Sequence, residues 1–130
     1  LTVTGVQTCA LPILFATALD EGEIVVRIVF PLPKRAAYEK FPHPASGYAM
    51  TGVFIAETAQ GVRVAVTGAG PGVFRWREAE VALAGGLKAG ALDALEVDAT
   101  DLNEDFHAPR EYRANLVKVM AQRALKKLLA

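Results

Sequence analysis

Few residues in this chain have the type and spacing that chemistry needs. Tyr38 and Lys40 stand two apart in Ala37-Tyr38-Glu39-Lys40. An aromatic ring and a cation placed together can pack on a flavin ring and meet its polar edge. The plainer reading is an anchored loop with a solvated lysine. Gly68-x-Gly70-x-Gly72 follows a strand-like run and precedes a helix-like one. A phosphate site there would use bare backbone N–H groups and the helix N-terminus. The dinucleotide pattern wants its third glycine at position 73, which is Val73, and Pro71 removes one donor. A loop that must turn sharply accounts for these glycines better. His43 and His107 are the only histidines and Cys9 the only cysteine, too few for a metal site. His43 lies between two prolines and reads as exposed; His107 lies just ahead of the last helix and reads as helping to cap it. Ser46, His43 and Asp105 could be drawn as a triad. Nothing in their spacing selects that arrangement, and no nucleophile elbow surrounds Ser46. Asp98, Asp101, Glu104 and Asp105 read as a solvated acidic loop rather than catalytic carboxylates. No catalytic residue and no metal ligand is assigned.

The composition, 52% hydrophobic and 22% charged, is ordinary for a globular protein. The chain has 130 residues, which suggests one domain with a modest core. Lys+Arg and Asp+Glu are balanced at 14 each, which argues against phosphate-neutralising nucleic-acid binding and against a polybasic membrane anchor. A single cysteine excludes an internal disulfide and makes a reducing, cytoplasmic compartment the expectation. The apolar start, residues 1–15, is broken by Gln7, Thr8 and Pro12, too short for a membrane span and without the cationic start of a signal peptide. The string Thr4-Gly5-Val6-Gln7-Thr8-Cys9-Ala10-Leu11-Pro12-Ile13 resembles translated sequencing-adaptor read-through, and the missing initiator Met fits a truncated gene. Residues 1–15 are therefore set apart from a domain spanning 16–130.

The elements that must position these residues follow from periodicity. Residues 24–30 read as a strand, with Ile24, Val26, Ile28 and Phe30 on one face and Val25, Arg27 and Val29 on the other. Pro31 and Pro33 end it. Residues 38–46 read as a loop, because Pro42 and Pro44 force their predecessors out of helical space. Residues 48–57 and 62–67 read as an antiparallel hairpin turned by Ala59-Gln60-Gly61. A helix is expected over 75–84, stopped by Gly85-Gly86, and a short second one over 91–95. The last helix has Pro109 at its first position and Glu111 in its first turn. Its apolar stripe is Tyr112, Leu116, Val119, Met120 and Leu128, and Lys126 and Lys127 lie at its C-terminal end. Strands precede helices, so the expectation is an α+β fold: a small antiparallel sheet of about three strands on about three helices.

Three stretches, in order, resemble one family. They are Thr17-Ala18-Leu19-Asp20-Glu21-Gly22-Glu23-Ile24-Val25, the segment 37–49 with its Tyr-Glu-Lys and Pro-Ala-Ser elements, and Asp105-Phe106-His107-Ala108-Pro109-Arg110-Glu111-Tyr112 continuing to Arg123-Ala124-Leu125. Together, from about residue 16 to the end, the chain is similar to the C-terminal domain of the FAD-binding medium subunit of molybdenum hydroxylases, the carbon monoxide dehydrogenase and xanthine dehydrogenase group.

The resemblance implies an α+β domain that helps hold FAD. It implies a molybdopterin-containing large subunit and a [2Fe–2S] small subunit as partners, with electrons passing from the clusters to the flavin. It implies Lys40 as the polar flavin contact, Tyr38 as the aromatic neighbour and Val25, after Gly22-Glu23-Ile24, as a residue near the flavin, where leucine is more usual. The glycine-rich loops that cradle the FAD pyrophosphate belong to the family's N-terminal region, so this chain alone is expected to bind FAD poorly and to be inactive. The alternative is a non-enzymatic α+β interaction or dimerisation module. The resemblance leaves substrate and electron acceptor open.

Overall fold

The computed structural model describes residues 20–130. The adaptor-like stretch, the domain boundary at 15/16 and Cys9 lie outside the described residues. Four strands form one antiparallel sheet in sequence order: β1 (Arg35–Pro42), β2 (Ala49–Thr58), β3 (Gly61–Thr67) and β4 (Phe74–Arg75). Two helices follow, α1 (Arg77–Leu83) and α2 (Arg110–Leu129). The α+β class and the long C-terminal helix match the sequence expectation, with four strands in place of about three and two helices in place of about three.

The β2–β3 hairpin forms as expected, in register from Thr58↔Gly61 to Gly52↔Thr67. Its turn needs Gly61 at φ +108°, a left-handed conformation open to glycine. The Thr58 hydroxyl locks it, donating to the Gly61 carbonyl at 2.7 Å and accepting from the Gln60 N–H at 3.2 Å.

Two strand expectations are corrected. Residues 38–42, read as the start of a loop, belong to β1, which pairs with β2 from Arg35↔Glu57 to Pro42↔Ala49. Glu and Lys are poor strand formers, but β1 is an edge strand, where charged side chains reach water and discourage unwanted pairing. Pro42 ends it at a register shift, the place where a strand tolerates proline. Only residues 43–48 form the loop, closed by the His43 N–H donating to the Tyr48 carbonyl at 2.7 Å. Conversely, residues 24–30, read as a strand, pair with no strand among the described residues. Their alternation is a strand signal, but a strand exists only where a neighbour completes its ladder.

One sheet face is buried. Ala37, Val53, Ile55, Val62, Val64 and Val66 point inward, and α2 covers them with Val117, Met120, Ala121, Ala124, Leu125 and Leu128. The spacing of that stripe is helical. It is turned slightly from the expected one: Tyr112 is 42% exposed, while Arg113 and Val117 are buried. Pro109 sits just outside α2, as its N-cap, rather than at its first helical position. α1 adds Ala79 and Leu83 beside β3 and ends at Leu83, whose carbonyl accepts at 3.0 Å from the N–H of Gly86, at φ +120°. Residues 91–95 are single turns, not a helix. Gly90, at φ +79°, breaks the path just before them, and Leu92 is buried as an anchor for the connection.

Candidate functional site

Among the described residues no helix covers the sheet's second face. Because side chains alternate, Ala36, Tyr38 and Lys40 of β1 share it with Gly52, Phe54 and Ala56 of β2 and Arg63, Ala65 and Thr67 of β3. Strand pairing therefore brings Tyr38 and Lys40 together, two residues apart on one face. Tyr38 lies opposite Phe54, and Lys40 lies opposite Gly52. Both rings are partly open, at 41% and 38% exposure. The Tyr38 ring does not stand upright. A Cβ built on Gly52 would lie 2.3 Å from the Tyr38 hydroxyl oxygen and 2.8 Å from its Cζ. The ring thus leans diagonally across the strand into the space that a side chain at 52 would fill. The Lys40 ammonium is exposed and donates to the Gly47 carbonyl at 2.9 Å. Gly52, Ala56, Ala65 and Thr67 flank the Phe54 ring on this face. The face offers a ring for packing and a cation at one edge, the pairing read from sequence. Val25 is not on this face. It lies in the segment leading to β1 and is 60% exposed.

A polar cleft opens at the end of the sheet, where the 43–48 loop meets the start of α2. His43, Ser46, Gly68, Asp105, His107 and Arg113 are among its walls. The three triad candidates therefore do gather, but not as a relay. The His43 ring packs edge-on against His107 at 4.6 Å, and its Nδ1 accepts from the Ala45 N–H at 3.2 Å. Both carboxylate oxygens of Asp105 are engaged elsewhere. One accepts the His107 and Ala108 N–H groups at 3.0 and 3.1 Å, the other Arg113 Nη2 at 2.7 Å. Partial burial pushes Asp105 up, but those two N–H donors and Arg113 outweigh it and hold its carboxyl below the ordinary range. Asp105 is held in place by these partners yet remains exposed, as are Asp98, Asp101 and Glu104, in keeping with a solvated acidic loop. His107 does not cap α2, which has no side-chain cap. It packs between His43 and Phe106.

Sequence reasoning missed Arg113. It is 4% exposed, and its Nη1 donates to the Met50 carbonyl at 3.0 Å and the Gly68 carbonyl at 3.4 Å. One guanidinium thereby ties α2 to the start of β2, to the end of β3 and to Asp105. The signal was its position one turn before Val117 on the buried stripe of α2, where a charge needs partners. Gly68 makes the approach possible. It sits at φ +74°, and a Cβ there would lie 2.3 Å from the Ala49 carbonyl oxygen. The glycine-rich loop is the sharp turn expected of it. A more deeply placed ion pair, Glu80 with Arg75, ties α1 to the edge of the sheet. Glu80 Oε1 accepts the Val64 N–H at 3.0 Å and Arg75 Nε at 2.7 Å. Burial raises the Glu80 carboxyl, but Arg75, the Val64 N–H and Arg77 together bring it below its usual value. Among the described residues, no group of three or more His, Cys, Asp or Glu is placed to hold a metal, and no helix is long and apolar enough to cross a membrane.

A four-stranded meander sheet with both helices on one face defines a small domain of the α+β class. The chain belongs to the CO dehydrogenase flavoprotein C-terminal domain family, whose model matches residues 36–128. Its structure resembles reconstituted CO dehydrogenase from Oligotropha carboxidovorans, with a TM-score of 0.72 and 25% identity over 93% of this chain and 46% of that one. It also resembles CO dehydrogenase from Hydrogenophaga pseudoflava lacking the Mo-pyranopterin moiety of its molybdenum cofactor, with a TM-score of 0.64 and 26% identity over 88% and 44%. The fold recurs in quinoline 2-oxidoreductase from Pseudomonas putida 86, at a TM-score of 0.69 and 22% identity over 87% and 43%. The chain thus spans less than half the length of these solved chains. No curated protein matches it.

Proposed function

We propose that this chain is the C-terminal part of the flavoprotein subunit of a molybdenum hydroxylase and forms one wall of its FAD site. The observation that carries the reading is the shared open face of Tyr38 and Lys40 on a family-matched sheet. The residues present fit a flat ring: Tyr38 and Phe54 offer apolar surface, and Gly52, Ala65 and Thr67 keep the middle low. Tyr38 packs against the ring, and Lys40 donates to its polar edge. Val25 adds an apolar contact from the segment before β1. FAD, when bound, supplies the redox chemistry, receiving electrons from a [2Fe–2S] small subunit that a molybdopterin-containing large subunit feeds. The pyrophosphate is held by the part of the subunit outside this chain.

The test joins this chain to the rest of the subunit encoded by its source gene and measures FAD retention. A charge-assisted hydrogen bond is worth about 1.5–3 kcal/mol, so Lys40→Ala should weaken FAD binding by roughly tenfold or more. Tyr38→Ala should weaken it by several-fold through lost ring packing. Undiminished retention in both variants refutes the assignment.

A further inference from the structure

The segment ahead of β1 has a surface that the Tyr38 face does not explain. Ile24, Val25, Val26, Ile28, Val29 and Phe30 are each between 60% and 81% exposed. Residues 24–33 make no backbone hydrogen bond among the described residues. β3 shows what a half-buried strand looks like in this protein, with Val62, Val64 and Val66 inward and Arg63, Ala65 and Thr67 outward. Residues 24–30 differ: one face is wholly apolar and the other is Val25, Arg27 and Val29. A strand with one wholly apolar face and a second that is apolar but for one arginine is one that is covered on both faces. Among the described residues nothing covers it, because α1 and α2 are spent on the inner face of β1–β3. The family match begins at residue 36, just after the segment, and the solved chains that the protein resembles are more than twice the length matched. The Lys34 N–H already donates to the Glu57 carbonyl at 2.7 Å, so the backbone enters β1 from a defined direction.

We infer that residues 24–30 are a strand of a second sheet, supplied by the rest of the same subunit, and that this strand welds the domain to it. A second copy of this chain fits less well. Symmetric strand pairing would give each segment one neighbour and leave an apolar face wet, whereas this pattern asks for cover above and below. The inference rests on the reading of the chain as part of a longer flavoprotein subunit. It makes the segment a structural joint, independent of any contact Val25 makes with flavin.

The test is hydrogen exchange on this 130-residue chain and on the longer subunit read from its source gene. Amides of residues 25–30 should exchange freely in the chain and be slowed by about 100-fold or more in the subunit. Val26→Asp with Ile28→Asp should leave the thermal midpoint of the chain unchanged and sharply lower that of the subunit, or its soluble yield. Free exchange of 25–30 in the subunit, or an unchanged midpoint of its double variant, overturns the inference. So does protection in the chain alone that grows with its concentration, which would assign the strand to a second copy. FAD content of the same preparations reads the functional proposal separately. A flavin-bearing subunit with a free segment sinks only the joint, and a protected segment without flavin sinks only the FAD wall. A source gene that encodes no longer subunit sinks both.

Discussion

The lean of Tyr38 across Gly52 can be measured as a coupling energy. A Cβ at position 52 would meet the Tyr38 hydroxyl at 2.3 Å and Thr67 Oγ1 at 2.8 Å. Ordinary contact begins near about 3.5 Å, so the ring tip must move by about an ångström. Overpacking costs about 1–3 kcal/mol, and the low end applies because the tip of an exposed ring can swing. Alanine is otherwise better than glycine inside a strand by about 0.5–1 kcal/mol. Gly52→Ala should therefore be destabilising by no more than about 0.5 kcal/mol in the native sequence and stabilising by about 0.5 kcal/mol in a Tyr38→Ala background, where only the rotatable Thr67 hydroxyl still has to give way. The double-mutant cycle should return a coupling of about 1 kcal/mol. Urea unfolding followed by Trp76, the only tryptophan and 4% exposed, supplies the four stabilities. Additivity within about 0.5 kcal/mol would show that the ring does not occupy the space above Gly52. On the proposed FAD wall, the same Gly52→Ala in the longer subunit should lower FAD affinity, by displacing Tyr38 and by raising the face at position 52.

Other expectations concern the buried charges and the turn. Arg113→Met leaves the Met50 and Gly68 carbonyls without their donor and should cost about 1–3 kcal/mol in urea unfolding; no loss would show that the guanidinium does not tie the elements together. Glu80 has its folded carboxyl below the unfolded value, so its contribution is present above about pH 4.5 and fades as acid brings the pH down through the lower folded value. Glu80→Gln should accordingly be less stable than the native chain at pH 7, and the gap should narrow toward about pH 3 in thermal melts; a constant gap would refute the assignment. Gly68→Ala meets a backbone oxygen in a left-handed conformation and should cost at least about 2 kcal/mol, read as a fall in the urea midpoint.

The β2–β3 hairpin and α2 were legible in the sequence because their patterns are local. Val62, Val64 and Val66 alternate around a glycine turn, and the α2 stripe repeats every three to four residues. β1 was not legible, since Arg35, Glu39 and Lys40 belong to an edge whose strand character comes from pairing with β2. Residues 24–30 show the converse, a strand pattern with no ladder among the described residues. The candidate site divides in the same way. Tyr38 and Lys40 were named from sequence, but their common face depended on β1 being a strand. Gly52 and Arg113 act through distant partners, Thr67 in one case and Met50 and Gly68 in the other, which no local window contains.

The β1-β2-β3-β4 order carries a consequence for how the protein is made. Each strand pairs with its immediate successor, so every ladder closes over a short loop and can form quickly. The exception is α2, which packs on β1 and β2 although residues 59–109 lie between. The sheet therefore emerges from the ribosome with its inner face bare until α2 has been synthesised. That interval exposes Val53, Ile55, Val64 and Val66 to other nascent chains, and docking of α2 becomes the step that commits the domain.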